Sequence, residues 1–216
     1  MIINHDTPEY RKKWKCSMSN RWNGAFYYSK EICKYIIPHI KTDRNWITVN
    51  VKDVGCDNAI VFIHNNLHPE NYEWLSKYKD LILVCGIRET CQKVKHLGKA
   101  IYLPLSVDVE DVKKYRTEKT KDIAFAGRRA KRKGIELPKE IEYLEGLPRT
   151  KFLKELAKFR RVFAVGRAAI EAKILGCKVL PYDERYPYPQ RWRILDSSEA
   201  VKILQKKLDK AERSKE

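Results

Sequence analysis

The sequence predicts an α/β protein made of two small domains with parallel sheets. Short continuous apolar runs recur along its 216 residues, segments with helical spacing separate them, and one charged, aperiodic stretch lies near the middle. Unbroken runs of Val, Ile, Leu and Phe indicate strands covered on both faces. Strands alternating with helices indicate parallel pairing through crossover connections.

In chain order, strands are expected at 60–64, 81–85, 100–103, 122–126, 141–144, 162–165 and 178–180. Helices are expected at 70–79, 88–97, 149–159 and 167–175. In 149–159 the apolar residues Phe152, Leu153, Leu156 and Phe159 recur at helical intervals. A terminal helix at 197–212 opens with Ser197 or Ser198 as N-cap and Glu199 in its first turn, and carries Val201, Leu204 and Leu208 on one face. The stretch KKYRTEKTK within 112–121 reads as a linker. It divides an amino-terminal domain, 1–111, from a carboxyl-terminal domain, 122–216, each near the lower size for independent folding.

Composition narrows the class. Hydrophobic residues make up 43% of the chain, enough for a real core, which excludes a disordered tail. No run of about 18 apolar residues occurs, so no membrane span is expected. The first residues, Met1 to Asp6, lack the charged-then-apolar pattern of a secretory signal, and a cytoplasmic location is expected. The six cysteines contain no C-x-x-C pair and read as reduced thiols. The formal charge is +17, with +6 in residues 1–116 and +11 in residues 117–216. Such a surplus suits a polyanionic partner, although a solvated basic surface gives the same count.

Two runs carry the chemistry. In the first, the strand ending at Ala126 meets Gly127, and five of the next six residues, Arg128 to Lys133, are basic. Open α/β sheets place ligands at the carboxyl ends of strands. A glycine there admits a ligand to the backbone, and arginine forks match phosphate oxygens. In the second, the strand ending at Val165 meets Gly166-Arg167 and runs directly into a helix. Free N–H groups at that helix start, beside the small Ala168 and Ala169, suit an anion such as phosphate. Glu171, about one turn inside, offers either two hydrogen bonds to a ribose diol or a buried partner for Lys or Arg. Gly176 is expected to close the helix in a left-handed cap.

Together the two runs resemble the donor-binding half of GT-B glycosyltransferases, in particular the family called glycosyl transferases group 1. Gly127-Arg128 and Lys133-Gly134 look like that family's Gly-Arg and Lys-Gly, and 167–176 looks like its Glu-Ala helix. The resemblance covers roughly residues 100–183. It implies two Rossmann-like domains facing across a cleft and a nucleotide-sugar co-substrate of unspecified identity. It assigns the donor diphosphate to Arg128, Lys133 and the backbone at Ala168 and Ala169, and the ribose to Glu171; Gly127, Gly166 and Arg167 complete the expected donor-binding set. One departure stands out: the family usually carries another Glu eight residues before Glu171, where this chain has Phe163.

The amino-terminal half adds Gly24, in a turn similar in placement to the family's glycine loop, and His64, at a strand end where the family often has a functional histidine. His64 and His68 stand four apart, but no third ligand lies at convincing spacing, so no metal site is expected. Aromatic residues interleave with basic ones around Tyr10–Lys15 and Tyr186–Arg193. With the charge, they would suit a DNA acceptor whose modified base is reached outside the stack; a protein, lipid-linked or cell-surface glycan acceptor is the alternative, and core aromatics beside solvated charges give the same pattern. The competing class is a nucleotide- or nucleic-acid-binding protein that keeps the fold without transfer chemistry.

Overall fold

The computed structural model describes residues 29, 31–48, 54–63, 69–127, 137–180, 182 and 194–213. The chain forms two compact units: Met1–Ser106 together with Leu195–Glu216, and Val107–Ile194. Both are α/β, and each holds a four-stranded sheet.

Unit 1 contains β1 (Asn45–Ile47), β2 (Ala59–Ile63), β3 (Ile82–Cys85) and β4 (Lys99–Tyr102), hydrogen-bonded in the order β1-β2-β3-β4. Every neighbouring pair is parallel. All five residues of β2 and all four of β3 are buried. Side chains alternate across a strand, and two separate apolar clusters follow from that. Ile60, Phe62, Ile82 and Val84 face one cluster, which also holds Ile32, Ile36, Trp46, Leu204 and Leu208. Ala59, Val61, Ile63, Leu83 and Cys85 face the other, with Leu75 and Val94. The first cluster is closed by a π-helical turn, Ile32–Ile36, and by the terminal helix. The second is closed by α1 (Pro69–Leu75) and α2 (Arg88–Val94). Burying a leucine stabilises by about 1.5–3 kcal/mol, so Leu204 and Leu208 bind the terminal helix firmly to the sheet of unit 1.

Buried Arg44 secures the same join. It donates to the Asp80 carbonyl at 2.8 Å and pairs with the Asp80 carboxylate at 3.1 Å and Glu212 at 3.4 Å. Asp80 and Asn58 both adopt positive φ, the left-handed conformation that Asp and Asn tolerate better than other residues with a Cβ.

Unit 2 begins at Val107, the second residue of β5 (Ser106–Val107), and continues into α3 (Val109–Lys113), whose N-cap Asp108 accepts from the Asp111 N–H at 2.9 Å. Its strands are β6 (Lys121–Ala126), β7 (Glu142–Tyr143), β8 (Phe159–Ala164) and β9 (Lys178–Leu180), in the order β7-β6-β8-β9 and all parallel. Two helices follow strands: α4 (Arg149–Leu156) after β7, and α5 (Gly166–Ile174) after β8. Beyond unit 2, β10 (Leu195–Asp196) pairs with β5 and leads into α6 (Ser197–Arg213).

All seven expected strands are present, and three more, β1, β5 and β10, are two or three residues long. The division of the chain differs from expectation in two ways. The charged stretch at 112–121 is not a free linker, because its cations are part of unit 2. Arg116 Nε donates to the Ile174 carbonyl at 2.8 Å, and Lys119 Nζ donates to the Ala157 and Leu175 carbonyls at 2.7 and 2.8 Å. Those carbonyls lie at the carboxyl ends of α4 and α5, where a cation satisfies unpaired acceptors and the helix dipole. The terminal helix belongs to unit 1, because its apolar stripe fills that unit's core. Phe159, expected on the helix at 149–159, instead opens β8, since α4 stops at Leu156.

Among the described residues no helix is long and apolar enough to cross a membrane.

Candidate functional site

In unit 2 the chain passes from β6 outward to β7, then returns to the other side of β6 to form β8. The strand order therefore reverses between β6 and β8. In open parallel sheets the crevice at the carboxyl ends of such a pair is where ligands bind. Among the described strands of unit 1 the order is sequential and has no such reversal.

One described glycine from each run, Gly127 and Gly166, lies just past the carboxyl ends of this strand pair. Ala126 and Ala164, the last residues of β6 and β8, are register partners, so Gly127 and Gly166 follow neighbouring strand ends. Gly166 has φ +58° and opens α5 after Val165. That positive φ requires glycine in practice and turns the chain abruptly from strand to helix. Gly176 at φ +81° ends the same helix in the expected left-handed conformation.

Gly127 is needed for a close approach, but a side chain of this protein makes it. A Cβ there would lie 2.7 Å from Tyr182 Oη and 3.2 Å from the Phe125 ring. Phe125 packs at 4.8 Å from Tyr182 and 5.7 Å from Tyr143, centroid to centroid. Phe163, Tyr143 and Tyr182 are half-buried, leaving an aromatic surface beside the strand ends.

An ionic trio, buried at Glu171 and Arg167 and half-buried at Arg149, joins α4 to α5. Glu171, 2% exposed, receives Arg167 Nε from its own helix and Arg149 Nη1 from the first residue of α4, both at 2.5 Å from Oε1. Arg167 is itself 7% exposed. Both arginines stand in first turns, where a helix presents a partial positive charge. Cations there oppose the dipole, and one carboxylate offsets only one of the two guanidiniums. Contrast the opposite ends of the same helices, where Arg116 and Lys119 complement the dipoles. The amino ends of α4 and α5 thus form a positively biased region.

The predicted site residues divide accordingly. Gly127, Gly166, Arg167, Ala168, Ala169 and Glu171 come together at the β6/β8 edge or just behind it. Gly166 and Ala168 are half-buried and accessible, whereas Ala169 is fully packed. Arg128 and Lys133 lie outside the described residues, as do Gly24, His64 and His68. Arg149 and Tyr182 are additions that sequence reasoning missed. Arg149 carried a faint signal, a basic residue directly after Pro148 at a helix start. Tyr182 carried none.

Among the described residues no three His, Cys, Asp or Glu side chains gather as a metal set. Burial pushes the Cys85 and Cys177 thiols above their ordinary range. No protein-family model, no curated protein and no solved structure matches the chain.

Proposed function

We propose that unit 2 binds the diphosphate of a nucleotide sugar at the carboxyl edge of β6 and β8, and that the protein is a GT-B-type glycosyltransferase. The observation that carries this reading is the convergence of Gly127 and Gly166 on the one strand reversal of that sheet, backed by the Arg149–Glu171–Arg167 trio. In this reading the accessible backbone at Gly166 and Ala168 meets phosphate oxygens. Arg128 and Lys133, next in sequence to Gly127, neutralise the diphosphate as the bond to the sugar breaks and negative charge grows on the leaving oxygen. Glu171 acts differently from the role the resemblance implies. With Oε1 shared by two guanidiniums and 2% exposure, it is a positioning residue for the arginines rather than a ribose ligand.

The GT-B arrangement, with His64 and the Gly24 turn across a cleft from the donor, belongs to the same proposal. So does a hydroxyl acceptor, for which a hydroxymethylated base in DNA suits the +17 charge. The reading is tested by nucleoside diphosphate release from a panel of sugar nucleotides, with and without modified DNA. Release from one donor, abolished by Arg128→Ala, supports it; no release from any donor and acceptor pair overturns it.

Phe163 favours a second reading, a nucleotide-binding protein without transfer chemistry. It stands half-buried in β8, aligned with Phe125 and Leu180, where the family has an acidic contact to the sugar. Stabilisation by a nucleotide without turnover selects this alternative.

A further inference from the structure

On α6 the apolar residues Ala200, Leu204 and Leu208 are buried in unit 1. The opposite face carries Lys202, Lys206, Lys210 and Arg213, all exposed. At 3.6 residues per turn these four fall within an arc of about 80°, and at 1.5 Å per residue they span about 16 Å along the axis. None of them makes an ion pair or hydrogen bond among the described residues.

The acids of the helix are turned aside. Glu212 pairs with Arg44, and Asp209 accepts from Gln205 Nε2 at 2.7 Å. Glu199, the one acid on the same arc, lies in the first turn, upstream of the four cations. Four cations of unit 2 are paired instead: Lys113 with Glu110, Lys114 with Asp111, Lys158 with Glu155, and Arg161 with Asp122.

We propose that this stripe docks unit 1 on the phosphodiester backbone of a nucleic-acid duplex. A duplex presents one negative charge about every 1.7 Å of its axis, so a straight row of unneutralised cations on a rigid helix meets phosphates along its whole length. A membrane surface fits less well. A helix lying in that interface inserts apolar side chains, whereas Val201, Ile203 and Ala211 pack against the core of unit 1. Single strands are held through aromatic stacking platforms, and α6 has no aromatic residue. The contact reads backbone charge and carries no base specificity. It rests on unit 1 alone and stands whatever unit 2 transfers.

The test is fluorescence anisotropy of the full chain with a short labelled duplex of random sequence across a salt series. Four phosphate contacts give a log–log salt slope of about −3.6, or about a 10²-fold loss of affinity between about 50 and 200 mM salt. The variant Lys202→Gln, Lys206→Gln, Lys210→Gln, Arg213→Gln should lose most of that slope while keeping its helical circular dichroism, because glutamine is a good helix former. A control variant removes the same number of charges elsewhere on unit 1: Lys77→Gln, Lys79→Gln, Lys93→Gln, Lys95→Gln. It should change the slope by less than one. Equal slope losses in both variants would overturn the proposal, because they reduce the effect to overall charge. So would wild-type binding confined to single strands or to anionic vesicles. Duplex DNA and duplex RNA run in parallel identify which backbone is the partner, and a stripe-dependent slope on either supports it.

Discussion

Arg149 Nη1 lies 2.5 Å from Glu171 Oε1, a contact that ties the first residue of α4 to the interior of α5. Arg167 approaches the same oxygen from within α5. One buried carboxylate thereby fixes two guanidiniums and two helix starts beside the β6/β8 strand ends. Removing one partner of a buried ion pair leaves an uncompensated charge, which costs about 3–5 kcal/mol. Glu171→Gln should therefore lower unfolding stability by about that amount, measured by urea denaturation. A loss below about 1 kcal/mol would contradict the positioning role.

Gly127 faces Tyr182 and Phe125. Gly127→Ala should destabilise by about 1–3 kcal/mol, the usual cost of overpacking. Tyr182→Phe removes the hydroxyl nearest the new methyl and should recover part of the loss in the double variant. Additive effects in that cycle would show that the two residues do not touch.

The assignment of α6 to unit 1 is checked at Leu204, which is fully buried among Ile32, Ile36 and Phe62. Leu204→Ala should cost about 2–5 kcal/mol. The loss should appear as early hydrogen exchange in β2 and β3 while β6 and β8 stay protected. Uniform deprotection of both sheets would argue against a core shared only within unit 1.

Acid should weaken unit 2 through two surface carboxylates. The hydrogen bond and charge from Arg161 hold Asp122 below its ordinary 3.8. The hydrogen bond from Lys158, with the nearby lysine charges, holds Glu155 below its ordinary 4.5. In that window the unfolded chain binds more protons than the folded one. The stability these groups contribute is thus complete above their ordinary values and is lost as pH falls through the depressed ones. Asp122→Asn should flatten the acid limb of the denaturation midpoint plotted against pH; an unchanged limb would remove the pair from the account.

Much of the sheet architecture was legible because strands such as Ala59–Ile63 and Ile82–Cys85 are buried on both faces and read as unbroken apolar runs. Asn45–Ile47 and Leu195–Asp196 are too short for any periodicity to register. The division of the chain was hidden for a different reason. Lys119 and Arg116 look like linker charges in sequence, and only their seats on helix-end carbonyls reveal a structural role. Gly127 and Gly166 are legible as strand-end residues, but their neighbourhood depends on β8 pairing with β6 rather than with β7, which local sequence does not encode. Arg149 reaches Glu171 only through that tertiary placement.

The most direct test of the central claim is amide chemical-shift mapping by two-dimensional NMR during titration with a nucleoside diphosphate. Saturable shifts should concentrate at Gly127 and at Gly166 through Ala168, with smaller ones at Arg149. Shifts confined to unit 1, or none that saturate, would contradict diphosphate binding at the β6/β8 edge.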